Sequence, residues 1–354
     1  MKGLILSGGK GTRLRPLTFT QAKQLVPVAN KPVLFYGIEA LEEAGIREIG
    51  IIVGDTRDEI REAVGDGSRW GVKITYIEQE APLGLAHAVK IAADFLRDEP
   101  FVMYLGDNIL KSGIRSLVEE FREQEPNALI LLTEVPNPEI FGVAELEDGR
   151  VVKLVEKPKE PRSNLALVGV YMFDSNIFEA VDAIEPSWRN ELEITDAIQY
   201  LVEHDYRVRP HLVTGWWKDT GKIEDILDAN RLILESIQGE ISGTVDEGSR
   251  THGDVIIGEG AVVRNSIIRG PAVIGRGVEI ADSYVGPFTS IQDGCRVIHT
   301  EIENSIVLEG SEIRDIGGRI DESLIGRNAR IYRCRSRPSV YRFVIGDQSE
   351  IGIK

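Results

Sequence analysis

Cysteine is nearly missing from this 354-residue chain: there are two, Cys295 and Cys334. Their spacing matches no metal-binding pattern and no disulfide framework, so neither a zinc module nor a disulfide-stapled domain is expected. A reducing cytoplasm is the expected compartment. Also missing is any run of about 18 apolar residues, and with it any expectation of a transmembrane helix or a membrane partner. After Met1 and Lys2 comes a short apolar stretch broken by Gly8 and Gly9. It is too short for a signal peptide and reads as a first β-strand. Positive charge is in deficit, with 41 Lys and Arg against 57 Asp and Glu and a net charge of −16. A duplex-binding protein needs a basic footprint, so no nucleic-acid partner is expected. Small phosphorylated ligands remain open, because they need only a few local cations and backbone amides.

What is present is apolar substance for a sizeable core, at 42% of residues, and a length that suggests two domains. The expected division is residues 1–238 and 239–354. The first part alternates strand-like and helix-like segments: a strand over Leu4 to Leu6, a helix from Val33 to Ala44, and a strand from Ile49 to Val53. A helix from Asp58 to Val64, a strand from Ile74 to Ile77, a helix from Leu85 to Leu96 and a strand from Phe101 to Leu105 follow. This rhythm predicts an α/β fold with a mostly parallel sheet flanked by helices. Such sheets bind ligands at the carboxyl ends of their strands, where Gly8 and Asp107 are expected to share one crevice.

The second part has a different period. Ile257, Val263, Ile268, Ile274, Ile280, Val285, Ile291, Val297, Ile302 and Leu308 recur every five or six positions. "NSIIRG", "DSYVG", "NSIVLEG" and "ESLIG", starting at Asn265, Asp282, Asn304 and Glu322, are variants of one unit. An α-helix has no such period, whereas a solenoid with three short strands per coil does. A β-sandwich with evenly spaced turns is the alternative, disfavoured because the register persists over several coils. The tail resembles the left-handed parallel β-helix of hexapeptide-repeat proteins. From Arg333 the pattern is lost, and the stretch ending in Tyr341 to Ile345 is read as a cap or an interface.

Chemistry concentrates in Gly8-Gly9-Lys10-Gly11-Thr12-Arg13-Leu14. Glycines directly after a strand let backbone amides approach an anion, and Arg13 and Lys23 offer donors suited to phosphate oxygens. An ordinary strand-to-helix turn would explain the glycines equally. The Walker spacing is absent, and Leu14 stands where a dinucleotide fingerprint needs glycine.

The full string resembles the signature of the sugar-nucleotide pyrophosphorylases, including Lys23-Gln24-Leu25-Val26-Pro27. Within that family the likeness is greatest to the thymidylyltransferases acting on glucose 1-phosphate, in their longer form with a β-helix tail. The resemblance implies a Rossmann-like nucleotidyltransferase fold and a nucleotide cradle of Gly8, Gly9, Gly11, Thr12, Arg13, Lys23 and Gln24. Gln79 and Gly84, in "QEAPLGLA", resemble the segment that reads the base. His87 stands where many relatives carry glutamine and is read as a helix-surface residue. Asp107, in "LGDN", and Asp219, in "WKDTG", resemble two magnesium ligands. Asn108, Gly142, Glu156, Lys157, Leu167, Tyr171 and Arg189 resemble the sugar-phosphate contacts, with Lys157 and Arg189 as phosphate cations. Arg13, Lys23, Asp107 and Lys157 are implied to carry catalysis.

The implied reaction joins dTTP to glucose 1-phosphate, giving dTDP-glucose and pyrophosphate by magnesium-dependent, in-line attack. Uridylyl transfer from UTP stays open, as do a bifunctional enzyme with an acyltransferase β-helix and a non-catalytic sugar-nucleotide sensor. The flat coil faces suggest a homo-oligomer.

Overall fold

The short apolar stretch that ends in glycines forms β1 (Lys2–Leu6), buried at every position as a strand with two neighbours demands. The computed structural model describes residues 1–334, 337 and 340–353. β2 (Glu48–Val53), β3 (Lys73–Glu78) and β4 (Phe101–Leu105) join β1 in a parallel row ordered β3-β2-β1-β4. The connections carry α1 (Val33–Glu43), α2 (Arg57–Val64) and α3 (Leu85–Ile91). The helix expected over 85–96 breaks at Ala92, and a separate turn of helix covers Ala93–Leu96.

Beyond β4 the sheet turns antiparallel. It adds β5 (Ala128–Glu134), β6 (Gly142–Glu147), β7 (Arg150–Glu156), β8 (Leu165–Phe173) and β9 (Val208–Leu212), with β8 beside β4 and β9 parallel to β5. Asp148 and Gly149 join β6 to β7 with φ of 48° and 76°, the left-handed pair that an Asp-Gly hairpin favours. Both faces of the sheet are covered. Phe101 and Met103 pack into one apolar cluster, and Val102 and Tyr104 into the other.

The chain divides into two compact units. The first comprises Met1–Lys10, Gln21–Leu25 and Val33–Asp219; the second comprises Gly11–Thr20, Val26–Pro32 and the chain from Thr220 onward. From Thr220 the second unit comprises the helix Ile223–Leu234 and then three parallel sheets of six, six and five strands. Val262 pairs with Glu279 and Glu279 with Arg296, so one coil takes 17 residues (279 − 262 = 17). This is the left-handed parallel β-helix. Ile257, Ile268, Ile280, Val285, Ile291, Val297 and Ile302 are fully buried and fill its interior. The repeated unit works through its first two residues. Asn265, Asp282, Asn304 and Glu322 take φ of 43° to 49° at the coil corners, a conformation that Asn and Asp tolerate best. The serine after each corner turns inward: Ser266 Oγ accepts from Ser283 N and Ser283 Oγ from Thr300 N, at 3.0 and 3.1 Å. The four units occupy two different corners, since Ile267 and Tyr284 belong to one sheet and Ile306 and Leu324 to another.

Cys295 and Cys334 form no disulfide. Cys295 lies in the coil interior, where burial pushes its thiol up to about 11. The described residues beyond Arg333 form no helix or strand, and Tyr341, Val344 and Ile345 are exposed. No helix among the described residues is long and apolar enough to cross a membrane.

Within the second unit, Asn230 joins the helix to a coil and to the hairpin turn at Ala29. Its Oδ1 accepts from Ala29 N at 2.8 Å and from Ser290 Oγ at 2.7 Å, and its Nδ2 donates to Phe288 O at 3.0 Å. At 1% exposure, none of these groups can turn to water instead. Asn230→Ala is expected to cost about 3 kcal/mol, read as a lower urea midpoint at unchanged slope.

Candidate active site

β1 ends at Leu6, and the chain leaves the sheet through glycines that run close to Gln79 and Gln24. A Cβ at Gly8 would lie 3.3 Å from Gln79 Oε1, and one at Gly54 would lie 3.2 Å from Gly8 O. Gly9 faces Gln24, whose Nε2 is 3.7 Å from the Cβ position. Gln24 is 2% exposed, and its Oε1, like Ser7 Oγ, has no hydrogen-bond partner among the described residues. Buried acceptors without partners beside a glycine loop are groups that a ligand or a water satisfies. The loop continues into the second unit, where Gly11 takes φ 61° and caps the single turn Thr12–Leu14. Leu14 is buried, while Thr12 and Arg13 stay exposed.

Parallel pairing sets the next group. Leu6 is in register with Leu105, and Gly106 N donates to Leu6 O at 2.9 Å, so Gly8 and Asp107 follow adjacent strand ends. Lys23 lies in a buried turn, Lys23–Leu25, and its ammonium pairs with the Asp107 carboxylate. Glu59 of α2 secures that turn by accepting from Ala22 N at 2.6 Å. Burial works against the Asp107 carboxylate. The Lys23 charge, with hydrogen bonds from Lys23 and Asn108, overcomes it and holds the group below the usual aspartate range.

Asn108 is expected among the sugar-phosphate contacts, but the structure spends its amide within the protein. Its Nδ2 donates to Asp107 Oδ1 at 2.8 Å, and its Oδ1 accepts from Trp217 Nε1 at 2.5 Å. Asn108 therefore positions Asp107. The strand Trp217–Asp219 runs antiparallel to Asn108–Leu110, with Asp219 in register with Asn108. Asp219 is thus paired with the residue next to Asp107, which itself lies in the turn before that strand. No group of three His, Cys, Asp or Glu suited to a metal occurs among the described residues. Two hard carboxylates fit magnesium, which completes its octahedron with water and substrate phosphate oxygens.

The sugar-phosphate candidates gather around Glu156, at the end of β7. Its Oε2 accepts from Thr195 Oγ1 at 2.7 Å. A Cβ on Gly142 would lie 2.9 Å from Leu167 Cδ1, 2.9 Å from Thr195 Oγ1 and 3.1 Å from Glu156 Oε2, so only glycine fits there. Gly169 is equally constrained, since a Cβ would meet Asn108 Oδ1 at 2.6 Å. Lys157 carries φ 44° directly before Pro158, a conformation both L-residues and pre-proline positions avoid. Its Nζ is 3.6 Å from Glu156 Oε1 and its side chain is partly exposed.

Two further candidates have contacts within the protein. Arg189 donates to Glu193 twice, at 3.0 and 2.7 Å, and also pairs with Glu191 at 3.1 Å and Glu156 at 3.5 Å. Three carboxylates already balance its charge, so it holds Glu156 and Glu193 in place. Tyr171 is buried and stacks on Phe173 at 6.0 Å; burial, then Glu156, keep its hydroxyl protonated. Tyr171 and Leu167 thus form the apolar floor beneath Glu156.

The base-reading candidates are tied to the same wall. Gly84 has φ 105°, and a Cβ there would lie 2.3 Å from Leu192 O. Leu192 N donates to Leu83 O at 2.7 Å, and Ala86 N to Leu192 O at 3.0 Å. Gln79 Nε2 donates to Gly84 O at 3.3 Å and lies 3.0 Å from His87 Nδ1. His87 is therefore not a bare helix-surface residue: it is half-buried and bonded to Gln79. Glu193, Thr195, Trp217, Glu59 and Gly169 carry no role of their own in the sequence reading, although Trp217 stands in the "WKDTG" motif. Only Arg189 and Glu193, four apart, left a local signal.

Comparison with known proteins identifies the family. The family described as nucleotidyl transferase matches residues 2–236. A glucose-1-phosphate thymidylyltransferase of Streptomyces antibioticus is 57% identical over 356 aligned residues, covering 100% of both chains. One from Streptomyces griseus is 55% identical, covering 100% of this chain and 99% of the other. Among solved structures, a putative glucose-1-phosphate thymidylyltransferase from Bacillus anthracis, crystallised with a sucrose, superposes with a TM-score of 0.64. It is 37% identical and covers 68% of this chain and 98% of its own. The likeness to the curated relatives runs through the β-helix as well as the sheet, and the chain belongs to the nucleotidyl transferase family.

Proposed function

We propose that this chain is a glucose-1-phosphate thymidylyltransferase, forming dTDP-glucose and pyrophosphate from dTTP and glucose 1-phosphate. Full-length identity to two curated enzymes of that activity supports the substrate pair. The observation that carries the chemistry is the register of β1 on β4, which sets the glycine loop beside Asp107 and Lys23. Residues 1–238 are the proposed catalytic domain and 239–354 the β-helix with its terminal segment. UTP is an alternative donor, since thymine and uracil differ by one methyl, worth about 10- to 200-fold. A homo-oligomer belongs to the same proposal, supported by the exposed Tyr341, Val344 and Ile345.

A phosphate oxygen of the sugar phosphate attacks the α-phosphorus. The new O–P bond forms as the bond to the β-phosphate oxygen breaks, and pyrophosphate leaves with that electron pair. The nucleophile is already anionic, so no side chain need become covalently attached. The protein must hold two polyanions in line and offset their repulsion. Gly8 and Gly9 cradle the triphosphate, with Gln24 behind Gly9. Lys23 exchanges Asp107 for a phosphate oxygen. Magnesium, when held by Asp107 and Asp219, offsets charge on the phosphate oxygens. Asn108 keeps Asp107 aimed. Glu156 accepts from sugar hydroxyls, Gly142 approaches by backbone, and Lys157 binds the sugar phosphate while Arg189 fixes Glu156.

Lys157→Ala is expected to raise KM for glucose 1-phosphate about 10- to 100-fold, and KM for dTTP far less. Steady-state kinetics with each substrate varied check this, and equal effects on both would contradict the assignment. The reaction itself is tested with dTTP labelled at the α-phosphate. In-line transfer places the label in the sugar nucleotide, and a chiral α-thio substrate inverts. Label in free phosphate or retention of configuration would overturn it.

A further inference from the structure

We infer that His87 is a positioning residue for base selection: it locks the Gln79 amide so that the carbonyl, not the NH2, is offered to the nucleotide base. This rests on the proposed reading of Gln79 as the base contact and goes beyond it by fixing which half of the amide reads.

Gly84 O can only accept a hydrogen bond, so the atom of Gln79 that faces it at 3.3 Å is Nε2. The same nitrogen lies 3.0 Å from His87 Nδ1. An amide nitrogen has two protons and no acceptor capacity, so His87 accepts through Nδ1 and carries its own proton on Nε2. Burial, and after it the Lys90 ammonium, hold the His87 pKa below its ordinary value, which keeps that lone pair available near neutral pH. Both protons of the Gln79 amide are then committed. Its Oε1 accepts nothing from the described residues and lies against Gly8, at the mouth of the glycine loop.

An offered carbonyl selects for a donor. Thymine and uracil present N3–H and complete the bond, whereas cytosine presents an N3 lone pair that meets a second acceptor. Turning the amide over to suit cytosine would bring Oε1 against Gly84 O, break both existing bonds and require His87 to move its proton from Nε2 to Nδ1. Discrimination therefore comes from repulsion of the wrong base as well as attraction to the right one. Without His87, one of the two restraints is gone, and the amide can turn at lower cost.

The test compares kcat/KM for dTTP and CTP, with glucose 1-phosphate, in the full-length enzyme. His87→Leu is expected to lower the dTTP/CTP ratio about tenfold, through KM rather than kcat. His87→Gln, which brings an amide oxygen as acceptor, is expected to restore most of the ratio. In the Gln79→Ala background, His87→Leu should change nothing further. A ratio that falls in Gln79→Ala but not in His87→Leu overturns the role of His87 alone. A ratio unchanged by Gln79→Ala removes Gln79 from the base and the inference with it. If His87→Leu fails to fold, as judged by circular dichroism, His87→Ala carries the same readout.

Discussion

Asp107→Asn is expected to lower kcat about 100- to 1,000-fold, the scale on which loss of one preorganised electrostatic partner in a closed site is felt. The argument begins with the sheet. β4 delivers Asp107 to the strand end beside the glycine loop, and Asn108 holds its carboxylate at 2.8 Å. Asparagine keeps the shape and can still accept from Asn108. It lacks the second hard anionic oxygen that magnesium requires and leaves the Lys23 charge without its counter-charge. Lys23 is 9% exposed, so stability falls as well, by about 1 to 3 kcal/mol. Circular dichroism should show an intact fold, and the kinetic loss should be largest at limiting magnesium. Wild-type turnover under those conditions would remove Asp107 from the site.

Arg189→Met is expected to destabilise the protein by about 3 to 5 kcal/mol, the cost of leaving a buried charge without its partner. Glu193 is 2% exposed and depends on two hydrogen bonds from the guanidinium, with Ser187 Oγ as a third donor at 2.7 Å. Methionine keeps most of the stem and removes the charge. The double variant Arg189→Met/Glu193→Gln should recover most of the loss, because a neutral amide tolerates the same burial far better. Urea denaturation of the four proteins closes the cycle. Additive losses would show that Arg189 does not hold Glu193, and the positioning role assigned to it would fall.

Much of the fold was open to sequence reasoning because it is written in local periods. β1 to β4 and the helices between them follow from apolar runs and glycine stops. The β-helix follows from a step that no helix can keep, and its 17-residue coil appears as the pairing of Val262 with Glu279. The antiparallel half of the sheet was less open. Only the Asp-Gly turn between β6 and β7 is a local signal there, while β8 is placed by pairing with the distant β4 and β5.

The site divides in the same way. Gly8, Asp107, Glu156 and Lys157 sit in continuous motifs and could be picked out. Whether a polar side chain is available could not. Asn108 and Arg189 look like ligand contacts in a motif, and the structure occupies them with Trp217 and Asp107, and with Glu193, Glu191 and Glu156. Thr195 reaches Glu156 across 39 positions, and Trp217 reaches Asn108 across 109. No spacing rule covers such separations. His87 is the nearer case: eight positions from Gln79, it looked like one more residue on a helix surface until the turn at Gly84 folded the helix back.

The central claim is nucleotidyl transfer to a sugar 1-phosphate, and pyrophosphate release across a matrix of nucleoside triphosphates and sugar 1-phosphates tests it most directly. The expected result is magnesium-dependent release, fastest with dTTP and glucose 1-phosphate and abolished by chelation. Folded protein that releases no pyrophosphate with any pair would contradict it.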